Sequence, residues 1–278
     1  MRLGTLALDG GSRAVVVRDG RAATVGEYAD VGALLRDGEA GLAAARRAHE
    51  QADGAHDAAP QRLLRPVLEP GAIVCVGLNY RSHILEMGRE LPTAPTLFSK
   101  LPRALTDPTA AIELPAVSER IDYEGELAVV IGRAGRDVAA ADAWSHVAGL
   151  TLMNDVTARD FQRRTLQWFA GKTLQASTPI GPVIVTADEL EPLGDRELVT
   201  RVNGEECQRA PLSDLVFDVP ALVADLSRLV ELAPGDVIAT GTPGGVGEAA
   251  RRYLGDGDVV EVSIDGIGTL RNEFRSAR

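Results

Sequence analysis

Little in this chain of 278 residues suits cross-linking, nucleic acid or a membrane. Its two cysteines, Cys75 and Cys207, are far apart and form no CxxC pattern, so neither a disulfide framework nor a zinc knuckle is expected. A reducing cytosol is the simplest setting. Positive charge is in deficit, with 29 Lys and Arg against 40 Asp and Glu. Nucleic-acid binding depends on clustered basic groups that displace counterions, so that partner is not expected. No apolar run reaches membrane-spanning length, and Met1 to Leu6 lead into strand-like alternation without a signal-peptide core, which points to a cytoplasmic protein without a membrane partner. There is no GxGxxG turn between regularly alternating strands and helices, which disfavours a dinucleotide-binding fold, and Gly244, Gly245, Val246 and Gly247 lack the lysine of a P-loop. Lysine itself is scarce: Lys100 and Lys172 stand in an otherwise all-arginine set. Arginine cannot replace lysine where a compact or titratable ammonium is needed, so both positions draw notice.

What is present reads as a packed protein. The hydrophobic content of 45% supports an ordinary core, and the length suits one large domain with a smaller one. Residues 2–8, 14–18 and 21–25 read as strands and 40–51 as an Ala/Arg-rich helix. The tract 53–60 reads as a connection, which sets a small N-terminal domain over 1–65 and a larger one over 66–278. From Ile73 onward, short β-branched runs are divided by Gly and Pro: 73–76, 96–99, 111–114, 124–131, 148–153, 183–186, 198–202, 237–240 and 259–264. A helix is expected over 218–232 from the spacing of Val219, Leu222, Val223, Leu226, Leu229 and Val230. The class is α+β, mostly β.

Glu124, Gly125 and Glu126 open the apolar run Leu127 to Ile131, and Asp155 closes another. In a strand, side chains two apart share a face at about 6.7 Å, so the two glutamates converge and repel. A pair beside a hydrophobic run either raises a pKa or binds a cation, and three oxygen donors suit Mg²⁺, Mn²⁺ or Ca²⁺ better than zinc. Two surface glutamates and an unrelated aspartate cap are the alternative.

Other segments carry chemistry. His83 and Glu86 are three apart on a short helical turn halted by Gly88, where the carboxylate can orient the imidazole and the pair can deprotonate water. Flanking glycine makes this turn a candidate lid. Asp155, Arg159 and Gln162 follow a strand end at helical spacing and can share a pocket, or cap and pair at the surface. Lys172, between Gly171 and a Pro/Gly turn, can point inward to neutralise an enolate or carboxylate. Thr242, in Thr240 to Pro243, ends a strand with small polar groups suited to a carboxylate.

In this order, segments 76–83 with Glu86, 123–131, 154–162, 171–173 with 179–182, and 241–243 resemble the fumarylacetoacetate hydrolase family over residues 70 to 275. The resemblance implies a mixed β-sandwich roll with a small N-terminal α/β module, and a homodimer. It implies Mg²⁺ or Mn²⁺, with Ca²⁺ able to take the place in crystals, held by Glu124, Glu126 and Asp155. It further implies His83 and Glu86 as a water-activating dyad on a lid, with Arg159, Gln162, Lys172 and Thr242 around the substrate. Leu174 and Gln175 depart from the Phe and Asp of many relatives, and loss of a carboxylate beside Lys172 is expected to alter substrate choice or the lysine's protonation.

The chemistry that follows is cleavage of a small anionic 2-oxo acid. Three carboxylates leave about three positions on an octahedral ion, enough for the carboxylate and ketone of such an acid. The leading expectation is a hydrolase that breaks a C–C bond of an acylpyruvate and leaves a pyruvate enolate stabilised by the ion. Oxaloacetate decarboxylation and isomerisation of a 2-hydroxy-dienoate use the same electron sink. A non-catalytic protein that binds a metal or a small acid is the alternative from another class.

Overall fold

In the computed structural model, residues 1–51 and 56–276 are described. Of the three β-sheets among the described residues, the smallest pairs Ile121–Asp122 with Thr157–Ala158, and the other two pack face to face in the expected α+β, mostly β class. The larger runs, in spatial order, His56–Asp57, Arg21–Thr24, Gly11–Arg18, Arg2–Leu8, Thr178–Val185, Val147–Asn154, Gly125–Ile131, Val237–Ala239, Ile73–Gly77 and Thr96–Ser99. The smaller runs Glu205–Pro211, Glu197–Val202, Val259–Ile264, Gly268–Ser276 and Ile112–Leu114.

The Gly125–Ile131 strand explains the sandwich. Strands covered on both sides read as continuous apolar runs, and every residue of this one is buried. Leu127, Val129 and Ile131 join Leu198, Val260 and Val262 of the second sheet in the main core. Ala128 turns the other way, to Cys75, Met153, Ile180 and Ala239. The same alternation sends Gly125 toward the second sheet and Glu126 away from it. Gly125 lies opposite Asn154 on the neighbouring antiparallel strand, so Glu124, Glu126 and Asp155 meet at one end of the sheet.

The leading strands extend this sheet: Arg2–Leu8 pairs antiparallel with Thr178–Val185, Arg2 facing Val185. Two helices, Val31–Arg36 and Gly38–Glu50, cover them. The first is capped by Asp30, whose carboxylate accepts from the Ala33 N–H at 2.7 Å. The core beneath holds Leu3, Val16, Leu34 and Leu35, together with Val130 and Ile184 from farther along the chain. Of the connection expected over 53–60, residues 53–55 lie outside the described residues.

Several boundaries move. The helix expected over 218–232 is Val219–Leu229, capped by Asp218, which accepts from the Ala221 N–H at 2.9 Å. It stops because Val230 is extended, and Leu229 and Val230 are 64% and 52% exposed, so the buried stripe is shorter than the spacing implied. The strand expected at 183–186 is the longer Thr178–Val185, and Glu205–Pro211 and Gly268–Ser276 are strands hidden by their charged outward positions. Among the described residues no helix is long and apolar enough to cross a membrane.

Candidate metal and substrate site

One carboxylate oxygen each from Glu124, Glu126 and Asp155 lies within 4.8 Å of the others, and all three residues are buried. Asn154 helps set the convergence: its Oδ1 accepts from the Glu124 N–H at 2.9 Å, while the Asp155 N–H donates to the Glu124 carbonyl at 2.8 Å.

Three cations face this trio unevenly. The Lys172 ammonium lies 2.6 Å from both Glu124 and Asp155, and 5.1 Å from the Phe98 ring centre. Lys100 reaches the other Asp155 oxygen at 2.5 Å. Arg159 Nη1 pairs with Glu124 at 2.6 Å and donates to Gln162 Oε1 at 3.1 Å, and its Nε donates to Asp122 at 2.8 Å. Arg159 Nη2 is buried with no hydrogen-bond partner among the described residues. Glu126 has no cationic partner among the described residues; its carboxylate accepts from the Gly241 N–H at 2.9 Å.

The protonation states follow. Burial alone would raise the Asp155 pKa, but Lys100 and Lys172 more than offset it and hold the group below the usual carboxylate range. Burial opposes the charge on Lys172, yet Asp155 and Glu124 make it hold its proton more firmly than a free lysine. Glu126 goes the other way: burial, then repulsion from Asp155 and Glu124, push its pKa well above the ordinary value. Three converging buried carboxyl groups, one of them without a cationic partner among the described residues, fit a hard divalent cation.

The back of the site is built by close approach. A methyl at Gly125 would lie 2.2 Å from Thr200 Oγ1 and 3.1 Å from Val262 Cγ1, so the bare residue between the glutamates lets the second sheet rest on the backbone. Gly241 has φ +98°, a conformation open mainly to glycine, and in it the N–H points to Glu126.

His83 and Glu86 lie on the helix Arg81–Glu86, ended at Gly88 as expected. A methyl at Gly244 would come within 3.1 Å of His83 Nδ1 and 3.3 Å of Glu86 Oε2, so both side chains reach the loop that follows Thr242. His83 Nδ1 is buried with no hydrogen-bond partner among the described residues, so the expected orienting bond from Glu86 is not made to that atom. Burial draws the His83 pKa below its ordinary value against the opposing pull of Glu86 and Glu124, which favours a neutral imidazole.

Other expectations change. Asp155 and Arg159 do not share a helix: the two-residue strand Thr157–Ala158 intervenes, and Arg159 opens the single turn Arg159–Gln162. The Thr242 hydroxyl donates to the Gly125 carbonyl at 2.9 Å, so its proton is committed within the protein. Gln175 is exposed and Leu174 packs against the main core, so the departure seen there does not touch Lys172 through a hydrogen bond among the described residues. Lys100, Asp122 and Gln208 join the site without a sequence pattern that assigns them to it. The scarcity of lysine was a usable signal for Lys100; Asp122 sits two positions before Glu124 but reads as a loop acid, and Gln208 had no local signal.

Residues 72–275 match the family model described as fumarylacetoacetate (FAA) hydrolase, C-terminal. The chain is 42% identical over 219 residues to oxaloacetate tautomerase YisK of Bacillus subtilis, covering 77% of this chain and 73% of that protein. Among solved structures, fumarylacetoacetate hydrolase from Exiguobacterium antarcticum is 38% identical with a TM-score of 0.86, covering 100% of both chains. Maleylpyruvate hydrolase from Sphingobium sp. SYK-6, solved in complex with manganese(II) and pyruvate, is 31% identical with a TM-score of 0.82, again covering 100% of both.

Proposed function

The chain belongs to the fumarylacetoacetate hydrolase family, and from that premise we propose that it is a divalent-metal-dependent enzyme acting on a small 2-oxo acid through its enolate. The favoured reaction is interconversion of the keto and enol forms of oxaloacetate. The observation that carries this is the uneven pairing: Glu124 and Asp155 each touch two cations, whereas Glu126, buried beside the other two carboxylates, has none among the described residues. Glu124, Glu126 and Asp155 would hold Mg²⁺ or Mn²⁺. Bound there, the ion supplies Lewis acidity that makes the proton next to the ketone easier to remove.

The chain's own groups do the rest. Arg159 Nη2 has unspent donors for a substrate carboxylate, while Asp122, Glu124 and Gln162 fix the other guanidinium nitrogens. Lys172 adds a fixed positive charge that favours the enolate over the ketone. His83, favoured in its neutral form, accepts the proton from the carbon beside the ketone and returns it to the oxygen, and the reverse transfer restores the keto acid. The tautomerase name of a relative 42% identical supports this reaction.

A second reading, hydrolysis of an acylpyruvate, is favoured by the shared surface that His83 and Glu86 make at Gly244. Water activated there attacks the distal carbonyl, and the C–C bond breaks to give a carboxylic acid and pyruvate. A homodimer in the cytoplasm, with domains over 1–65 and 66–278, belongs to the same proposal and is supported by the family resemblance.

The test supplies Mg²⁺ or Mn²⁺ and follows enol oxaloacetate, pyruvate release from oxaloacetate, and cleavage of acetylpyruvate in parallel. Faster loss of the enol without pyruvate release is the expected result, and Glu126→Gln should abolish it. Pyruvate release from oxaloacetate would assign decarboxylation instead. Activity unchanged by chelation, or none on any of the three, would overturn the proposal.

A further inference from the structure

Gln208 belongs to the second sheet, on Glu205–Pro211, yet its 1%-exposed side chain crosses to the strand that carries the two glutamates. Its Oε1 accepts from the Gly125 N–H at 3.0 Å, and its Nε2 donates to the Pro243 carbonyl at 2.9 Å and to Thr242 Oγ1 at 2.8 Å. The Gly125 amide can only donate and the Pro243 carbonyl can only accept, so the side-chain amide has one satisfactory orientation. Thr242 Oγ1 therefore accepts a hydrogen bond from Gln208 and donates its own hydrogen to the Gly125 carbonyl at 2.9 Å.

Both peptide groups of Gly125, the residue between Glu124 and Glu126, are thus held by two side chains. They occupy a place where strand pairing has run out. Val237–Ala239 pairs with the Gly125–Ile131 strand at Ala128, Val129 and Val130, and Thr240 then caps Leu127 through its N–H and hydroxyl. Beyond that point Gln208 and Thr242 take over from a neighbouring strand, in a buried setting where unpaired peptide groups are costly. The same loop sends the Gly241 N–H to the Glu126 carboxylate, so it grips both the backbone and a side chain of the acidic pair.

We propose that Gln208 and Thr242 form a positioning clamp that sets the separation of the Glu124 and Glu126 carboxylates, and with it the affinity for a divalent cation. The inference rests on the metal reading of the trio. Groups that orient ligands from behind change metal affinity by about 10- to 100-fold when removed. That range is expected for Gln208→Leu and for Thr242→Val. Thr242→Ser keeps the hydroxyl and should bind close to the wild type. The double variant Gln208→Leu/Thr242→Val should lose less than the two single losses combined, because each change breaks the same clamp.

The experiment is calorimetric titration of the metal-free full chain with Mn²⁺ and no substrate, alongside thermal melts in EDTA that report folding. If the wild type binds Mn²⁺ and both Gln208→Leu and Thr242→Val bind it as tightly, the clamp is refuted while the metal reading stands. If the wild type binds none, the metal reading falls and the clamp with it. Should Gln208→Leu fail to fold, the Thr242→Val and Thr242→Ser pair decides: weakened binding only in the valine variant supports the clamp, and equal binding in both refutes it.

Discussion

Replacing Lys100 by methionine removes a buried charge while nearly keeping the volume. The Lys100 and Asp155 side chains are both 0% exposed, with the ammonium 2.5 Å from one Asp155 oxygen and a weaker 3.4 Å contact to the Val156 carbonyl. Breaking a buried pair by removing one partner costs about 3–5 kcal/mol, because the survivor is left desolvated. Asp155 keeps Lys172 at 2.6 Å on its other oxygen. The lower end, about 3 kcal/mol, is therefore expected for Lys100→Met in EDTA at neutral pH, read from denaturant midpoints. A dication should reverse part of the loss. Taking a positive charge from beside the site strengthens its attraction for Mn²⁺, and a tenfold gain in affinity is worth about 1.4 kcal/mol at fixed excess ion. The deficit of the variant should thus shrink when Mn²⁺ replaces EDTA. A Lys100→Met protein as stable as the wild type in EDTA, or a deficit that Mn²⁺ leaves unchanged, would refute the reasoning.

Three further outcomes are expected. Gly125→Ala forces a methyl to 2.2 Å from Thr200 Oγ1 and should cost about 1–3 kcal/mol in thermal melts, partly restored by Thr200→Ala; an unchanged melting point would count against the close sheet contact. Since burial lowers the His83 pKa, the base form persists into more acidic solution, so the acid limb of kcat/KM should fall below about pH 6.5 and vanish in His83→Ala. A limb above that value would remove His83 as the base. Burial and the neighbouring carboxylates raise the Glu126 pKa, so protonation of this carboxyl competes with an incoming cation. Mn²⁺ binding should then tighten as pH rises, measured by calorimetric titration at several pH values; an affinity that does not rise with pH would contradict that direction.

The acidic trio was legible because two periodic signals coincide. Alternation along Gly125–Ile131 fixes which face Glu124 and Glu126 take, and the antiparallel neighbour brings Asp155 to the same end. Lys172 was legible from its glycine neighbour and the family pattern. Lys100 was visible only as a rare residue type, since its partner lies 55 positions away and the contact is made by sheet packing. Gln208 was harder still: it sits among charged residues on an outer hairpin, and only the crossing between sheets gives it work. Gln175 is the reverse case, conspicuous as a departure but placed on the surface. The His83 and Glu86 spacing was read correctly as one short helix, whereas their mutual orientation depends on the loop at Gly244, which no local pattern encodes.

The pairing of Arg2–Leu8 with Thr178–Val185 bears on any attempt to shorten the chain. A fragment beginning at residue 66 would leave part of that later strand, which starts soon after Lys172, with unclaimed peptide hydrogen bonds. Bare β edges recruit other chains, so such a truncate should self-associate even if its acidic pocket were intact. Covering this flank makes the leading segment a guard against aggregation.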